Sequence, residues 1–132
     1  MTAVLVGLFG MAGALLRFAV DSWFAHHSAR RSVRGPGRSG RQHWPWATLL
    51  VNVAGCFLIG LTYAATESPA MTPEWRAAVG TGLAGGLTTF SSWTTATIRL
   101  FSEARFGAGA VNVATNLVLG FAAAAAGVAL AS

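Results

Sequence analysis

The stretch Gly80-Thr-Gly-Leu-Ala-Gly-Gly-Leu-Thr-Thr-Phe-Ser-Ser-Trp93 most restricts what this chain can fold into, because an apolar run long enough to cross a bilayer is interrupted there by glycines and then by hydroxyls. Each of Gly80, Gly82, Gly85 and Gly86 costs a helix about 1 kcal/mol relative to alanine, so the spacing predicts a helix that weakens or breaks midway. Backbone groups freed at that depth cannot face lipid, where each costs several kcal/mol. The break must therefore be buried in protein or line a polar cavity. The Thr-Thr-Phe-Ser-Ser-Trp run adds hydroxyls and ring edges at the same depth, groups a small ion can use in place of water.

The remaining composition fits a membrane setting. Only 10% of residues are charged and 54% are hydrophobic, with a mean hydropathy of +0.56, so an ordinary soluble domain is excluded. The charges separate apolar blocks of about 20 residues, the length a helix needs to cross the hydrocarbon. The expectation is an all-α membrane protein, a single transmembrane domain over 1–132 with spans at about 2–24, 46–66, 74–101 and 106–131 and a basic loop over 26–43. The first block lacks a basic leader and is longer than a signal peptide's apolar core, so it is read as a span. Cys56 has no second cysteine to pair with in the chain and is read as packing.

In the first span Gly7, Gly10 and Gly13 form a small-residue face for close helix packing, followed by Arg17, four residues before Asp21. The 26–43 loop holds Arg30, Arg31, Arg34, Arg38 and Arg41 among glycine and proline, with His26, His27 and His43 read as solvated. A pI near 11.5 invites a nucleic-acid reading. The basic residues nonetheless cluster in one juxtamembrane loop without a nucleic-acid fold signature, so lipid is the expected partner and nucleic acid is not. Arginines concentrate on the side of the first and third connections, which places that side, and the basic loop, in the cytoplasm.

The second span carries Thr48, Asn52 and Gly55 on one stripe, and the fourth carries Asn112, Asn116 and Gly120 on another. An asparagine at that depth bonds either another helix or a ligand. Periodicity alone leaves the stripe of the fourth span open between a polar track and a packing face.

With these residues in place, the chain resembles the CrcB/Fluc family of fluoride ion channels. The resemblance is carried by Gly-Met-Ala-Gly-Ala-Leu-Leu-Arg17, Thr48-Leu-Leu-Val-Asn52-Val-Ala-Gly55, Gly85-Gly-Leu-Thr-Thr-Phe-Ser91 and Asn112-Val-Ala-Thr-Asn-Leu-Val-Leu-Gly120, across nearly the whole chain outside the basic loop. It implies an antiparallel, dual-topology dimer of four-helix subunits in the cell membrane, with the third helix broken mid-membrane and two narrow fluoride pores. It also implies a structural sodium ion held by the backbone carbonyls of Gly85 and Thr88. Asn52 and Phe90 would line the fluoride path, with Thr89 and Ser91 nearby. Trp93 stands where the family usually has a second phenylalanine, and Asn112 and Asn116 stand where tyrosine and serine are common. The arginine bias bears on assembly too: beside a homodimer, it suits a heterodimer with an oppositely oriented paralogous chain.

The expected function is passive fluoride export that lowers fluoride toxicity, with Asn52, Thr89, Ser91, Phe90, Trp93 and Thr48 beside the path and Asn112 and Asn116 on the last span. Two alternatives stand beside it. A small multidrug-type exporter needs a membrane-embedded carboxylate, whereas Asp21, Glu67, Glu74 and Glu103 all fall at or near span ends. A non-transporting scaffold would use the asparagines only as interhelical glue. No nucleophile, base and acid group together, so an enzyme is not expected.

Overall fold

The computed structural model describes residues 1–32, 44–65 and 71–131, with the side chains of 29–32 left outside the description. Among the described residues the chain is all helical. In order it forms α1 (Thr2–Ser32), α2 (Trp46–Ala64), the short α3 (Pro73–Arg76), a π-helical segment over Ala77–Leu83, α4 (Ala84–Leu87), α5 (Phe90–Ser102) and α6 (Phe106–Ala131). Three helical stretches among these residues are long and apolar enough to cross a membrane: Thr2–Ser28, Trp46–Ala64 and Phe106–Ala131.

Helix α1 runs further than the sequence suggested, so residues 26–32 of the expected basic loop are helical. The reason is local: no glycine or proline occurs between Gly13 and Gly35, and His27 Nδ1 donates to the Trp23 carbonyl at 2.9 Å across one helical turn. The rest of that loop, with Arg34, Arg38, Arg41 and His43, lies outside the described residues.

The glycines also act differently from expectation. Gly80 and Gly82 lie inside the π-helical segment and Gly85 and Gly86 inside α4, so none of them ends a helix. Two of them set a close approach to α1. A Cβ on Gly82 would sit 2.7 Å from the Val6 carbonyl, and one on Gly86 would collide with the Gly10 carbonyl. The reciprocal contact is made by Gly13, whose Cβ would meet the Leu83 carbonyl. Without a hydrophobic drive between helices in lipid, such backbone proximity is what holds them together.

A second close pair joins α2 to α6, the most extensive contact between two helices among the described residues. A Cβ on Gly60 would strike the Ala124 carbonyl, and one on Gly127 the Phe57 carbonyl. Of the described side chains, Val51 of α2, Leu100 of α5 and Asn112 of α6 are the largest that are wholly buried. An asparagine at that place must be fully bonded.

The chain turns from α5 into α6 through a Schellman-type ending. Arg105 N–H donates to the Leu100 carbonyl at 2.9 Å and Ala104 N–H to the Phe101 carbonyl at 3.0 Å. Ala104 adopts φ 56°, a left-handed conformation usually given to glycine. At the opposite side, Arg76 Nη1 donates to the Ala65 carbonyl at 3.2 Å and ties the start of the third helical stretch to the end of α2.

Candidate functional site

Helix α4 ends at Leu87 and α5 starts at Phe90, with Thr88 (φ −73°, ψ 154°) and Thr89 (φ −147°, ψ 114°) extended between them. Residues from two places in the sequence produce this interruption. Thr89 is the N-cap of α5, its Oγ1 accepting from the Ser92 N–H at 3.1 Å, a bond that favours starting a new helix over continuing the old one. From α2, Asn52 then takes over the Thr89 backbone. Thr89 N–H donates to Asn52 Oδ1 at 2.8 Å, and Asn52 Nδ2 reaches the Thr89 carbonyl at 3.4 Å.

The same Asn52 Nδ2 donates to Asn116 Oδ1 at 3.0 Å. Asn116 Nδ2 donates in turn to the Asn112 carbonyl at 3.0 Å and to Asn112 Oδ1 at 3.3 Å. Asn112 Nδ2 donates to Thr97 Oγ1 at 2.9 Å, the Thr97 hydroxyl to the Trp93 carbonyl at 2.8 Å, and Trp93 Nε1 to the Asn112 carbonyl at 3.3 Å. The result is a chain of uncharged dipoles joining α2, α5 and α6 at the level of the interruption. In a low dielectric each link polarises the next and an unmade link is costly, so the network fixes one arrangement of the three helices.

These bonds locate the residues singled out from sequence. Asn52, Thr89, Asn112, Asn116 and Trp93 belong to the network. Asn112 is wholly buried and lies among protein groups rather than on an open track. The Trp93 indole N–H is already committed. Phe90 and Ser91 lie just outside: Phe90 is 73% exposed and meets Trp93 edge-on at 5.5 Å, and the Ser91 hydroxyl is 3.3 Å from Thr89 Oγ1. Thr48, one helical turn before Asn52, borders with Ser91 a cavity of about 730 Å³. Thr97, whose hydroxyl continues the Thr89–Ser91–Ser92 pattern along α5, lies beyond the run that the sequence singles out.

The Gly85 and Thr88 carbonyls have a common feature. In a continuous helix they would accept from the N–H groups of Thr89 and Ser92. Those donors are turned to Asn52 Oδ1 and Thr89 Oγ1 instead, and the Gly85 carbonyl receives a long 3.5 Å contact from the Thr88 hydroxyl. Nothing lies within 4 Å of where a Gly85 Cβ would be, and Gly85 is exposed. Weakly satisfied carbonyls at a helix C-terminus suit a small monovalent cation. Among the described residues no three histidine, cysteine or acidic side chains converge as a metal-binding group.

Residues 4–128 match the family model described as CrcB-like protein, Camphor Resistance (CrcB). A fluoride-specific ion channel FluC of Renibacterium salmoninarum is 44% identical over 132 residues, covering 100% of both chains. Proteins of the same name from Shewanella amazonensis and Shewanella oneidensis are 41% identical over 110 residues (83% of this chain and 79% of the relative) and 37% identical over 116 residues (88% and 84%).

Proposed function

The chain belongs to the CrcB-like (camphor resistance) family, and on that premise we propose that it is a fluoride-selective ion channel through which cytoplasmic fluoride leaves passively. It is a multi-pass membrane protein and not an enzyme. The observation that carries the function is the 44% identity over the full length of a protein named for fluoride-specific conduction. Neither the multidrug-type exporter nor the scaffold is favoured beside it.

The uncharged character of the site supports this reading. Fluoride is small and tightly hydrated, so a pore must replace its water with donors while holding it weakly enough to let it go. Thr89 and Ser91 offer hydroxyls, and Phe90 offers a ring edge, which is the positive part of an aromatic quadrupole. Asn52 lies behind them, and its 3.4 Å bond to the Thr89 carbonyl is the weak one that a passing anion can borrow. Asn112, Asn116 and Trp93 hold the Asn52 amide in orientation, and Thr48 stands with Ser91 where the cavity meets the path.

The third crossing of four in this reading runs over 73–102, with Thr88 and Thr89 at mid-membrane. Two subunits pair in opposite orientation. The exposure of Phe90 beside buried polar groups supports a partner subunit across from it, either a second copy or an oppositely oriented paralogue. Structural sodium fits the turned-out carbonyls of Gly85 and Thr88, where it would neutralise carbonyl dipoles brought face to face at the two-fold axis. The arginine bias supports a plasma-membrane orientation with the basic first connection in the cytoplasm, beside anionic lipid.

The test is fluoride efflux from liposomes containing the chain alone, read by a fluoride electrode with chloride as the control anion. Fluoride-selective efflux is expected. No efflux from the chain alone or together with a paralogous partner would leave the scaffold.

A further inference from the structure

At the corner where α5 gives way to α6, the backbone turn brings charge and aromatic surface together. The left-handed Ala104 and the bond from Arg105 N–H to the Leu100 carbonyl fold the chain back, so that Phe101 meets the first turns of α6. Gly109 makes the room, since a Cβ there would collide with the Phe101 ring. Phe106 then stacks on Phe101 with ring centres 6.1 Å apart, and the rings remain 40% (Phe101) and 66% (Phe106) exposed. Beside them Glu103 answers two guanidinium groups, Arg105 Nη1 at 3.3 Å and Arg99 Nε at 3.9 Å. Each of the three charged side chains is about a third exposed, and ion pairs so wetted add little to stability. One carboxylate for two arginines leaves the corner with a net positive charge.

The place of this corner in the molecule matters as much as its charge. Arg99 shares a cavity wall with Trp23, Trp44 and Trp46, so the corner stands at the same end as these tryptophans, a residue type that marks the membrane–water boundary. The arginines of the first connection fall on this side too, the side on which anionic lipid is found. We propose that the corner binds one anionic phospholipid, its phosphate taken by Arg99 and Arg105 and its glycerol and upper acyl chains lying along Phe101 and Phe106. Charge complementarity selects the headgroup, and the exposed rings select a lipid over a free phosphate. The start of α6, with no acidic residue in its first turn, adds the favourable end of a helix dipole. An ordinary interfacial arginine meets whichever headgroup passes, so the claim is one of preference for anionic over zwitterionic lipid at this corner. The site does not depend on which ion the protein conducts.

The full chain is reconstituted in liposomes carrying a trace of photoreactive phosphatidylglycerol or of photoreactive phosphatidylcholine with the same acyl chains, and the crosslinked peptides are identified by mass spectrometry. The phosphatidylglycerol probe is expected to label residues 99–109 about fivefold more than the phosphatidylcholine probe. Arg105→Gln lowers that labelling by about fivefold, and Glu103→Gln raises it by removing the competing carboxylate. Unlabelled phosphatidylglycerol displaces the probe, whereas inorganic phosphate at the same concentration does not. Equal labelling by the two probes, labelling indifferent to both substitutions, or displacement by inorganic phosphate overturns the proposal. Should Arg105→Gln not yield folded protein, Glu103→Gln decides, since a corner that merely packs would not label more strongly when a carboxylate is lost.

Discussion

Replacing Asn52 by aspartate keeps nearly the same shape, removes the side chain's donor and adds a negative charge. The new carboxylate can still accept from Thr89 N–H, now 2.8 Å from Oδ1, but the donor that meets Asn116 Oδ1 at 3.0 Å and the Thr89 carbonyl at 3.4 Å is lost. Turning the Asn116 amide to relieve the facing oxygens would give up its bonds to Asn112 at 3.0 and 3.3 Å. One buried acceptor left unmade costs about 1–3 kcal/mol, which a folded chain can absorb. The effect on the ion is larger. A carboxylate about 4 Å from a passing anion opposes it by about 4 kcal/mol at an effective dielectric near 20. At about 1.4 kcal/mol per tenfold, efflux falls by about a thousandfold. Asn52→Ala breaks those bonds and the Thr89 N–H bond as well but adds no charge, so its efflux should lie between that of Asn52→Asp and the unmodified protein. The measurement is initial fluoride efflux from liposomes at matched protein content, with elution in detergent as the folding control. Efflux within about tenfold of the unmodified protein for a well-folded Asn52→Asp chain would refute the reasoning and leave Asn52 as a helix clamp away from the ion path.

Phe90→Ile removes the ring edge from a side chain that is 73% exposed on the subunit, so efflux should be abolished while the elution profile stays unchanged; retained efflux counts against Phe90 as a pore residue. Ala104→Gly relieves a left-handed residue that costs about 1–2 kcal/mol, part of which returns as the entropy lost by glycine, so a rise in Tm corresponding to about 0.5–1 kcal/mol is expected. Gly127→Leu drives a side chain into the Phe57 carbonyl and separates α6 from α2, so a loss of about 1–3 kcal/mol or failure to fold is expected, seen as a lowered Tm or aggregation on elution.

Much of the site was legible before the structure because polar side chains in apolar runs are few. Asn52, Asn112 and Asn116 stood out for that reason, and the small-residue face of Gly10 and Gly13 announced the α1 contact. Their pairings were not legible: Asn52 meets Thr89 37 residues away and Asn116 64 residues away, and no helical period encodes such distances. The position of the interruption was misattributed to the glycines, although Thr89 with Ser92 three residues later carried the capping signal. The helical residues 26–32 were hidden by a basic, polar composition that favours a loop in general but contains no helix breaker until Gly35.

The hydrogen-bonded chain from Thr89 through Asn52, Asn116, Asn112 and Thr97 to Trp93 is made entirely of amides, hydroxyls and an indole. None of these groups gains or loses a proton in the range a living cell survives. An acid or alkaline shock therefore finds no handle there, and the spine that sets the helices keeps its shape while titrating proteins around it change theirs.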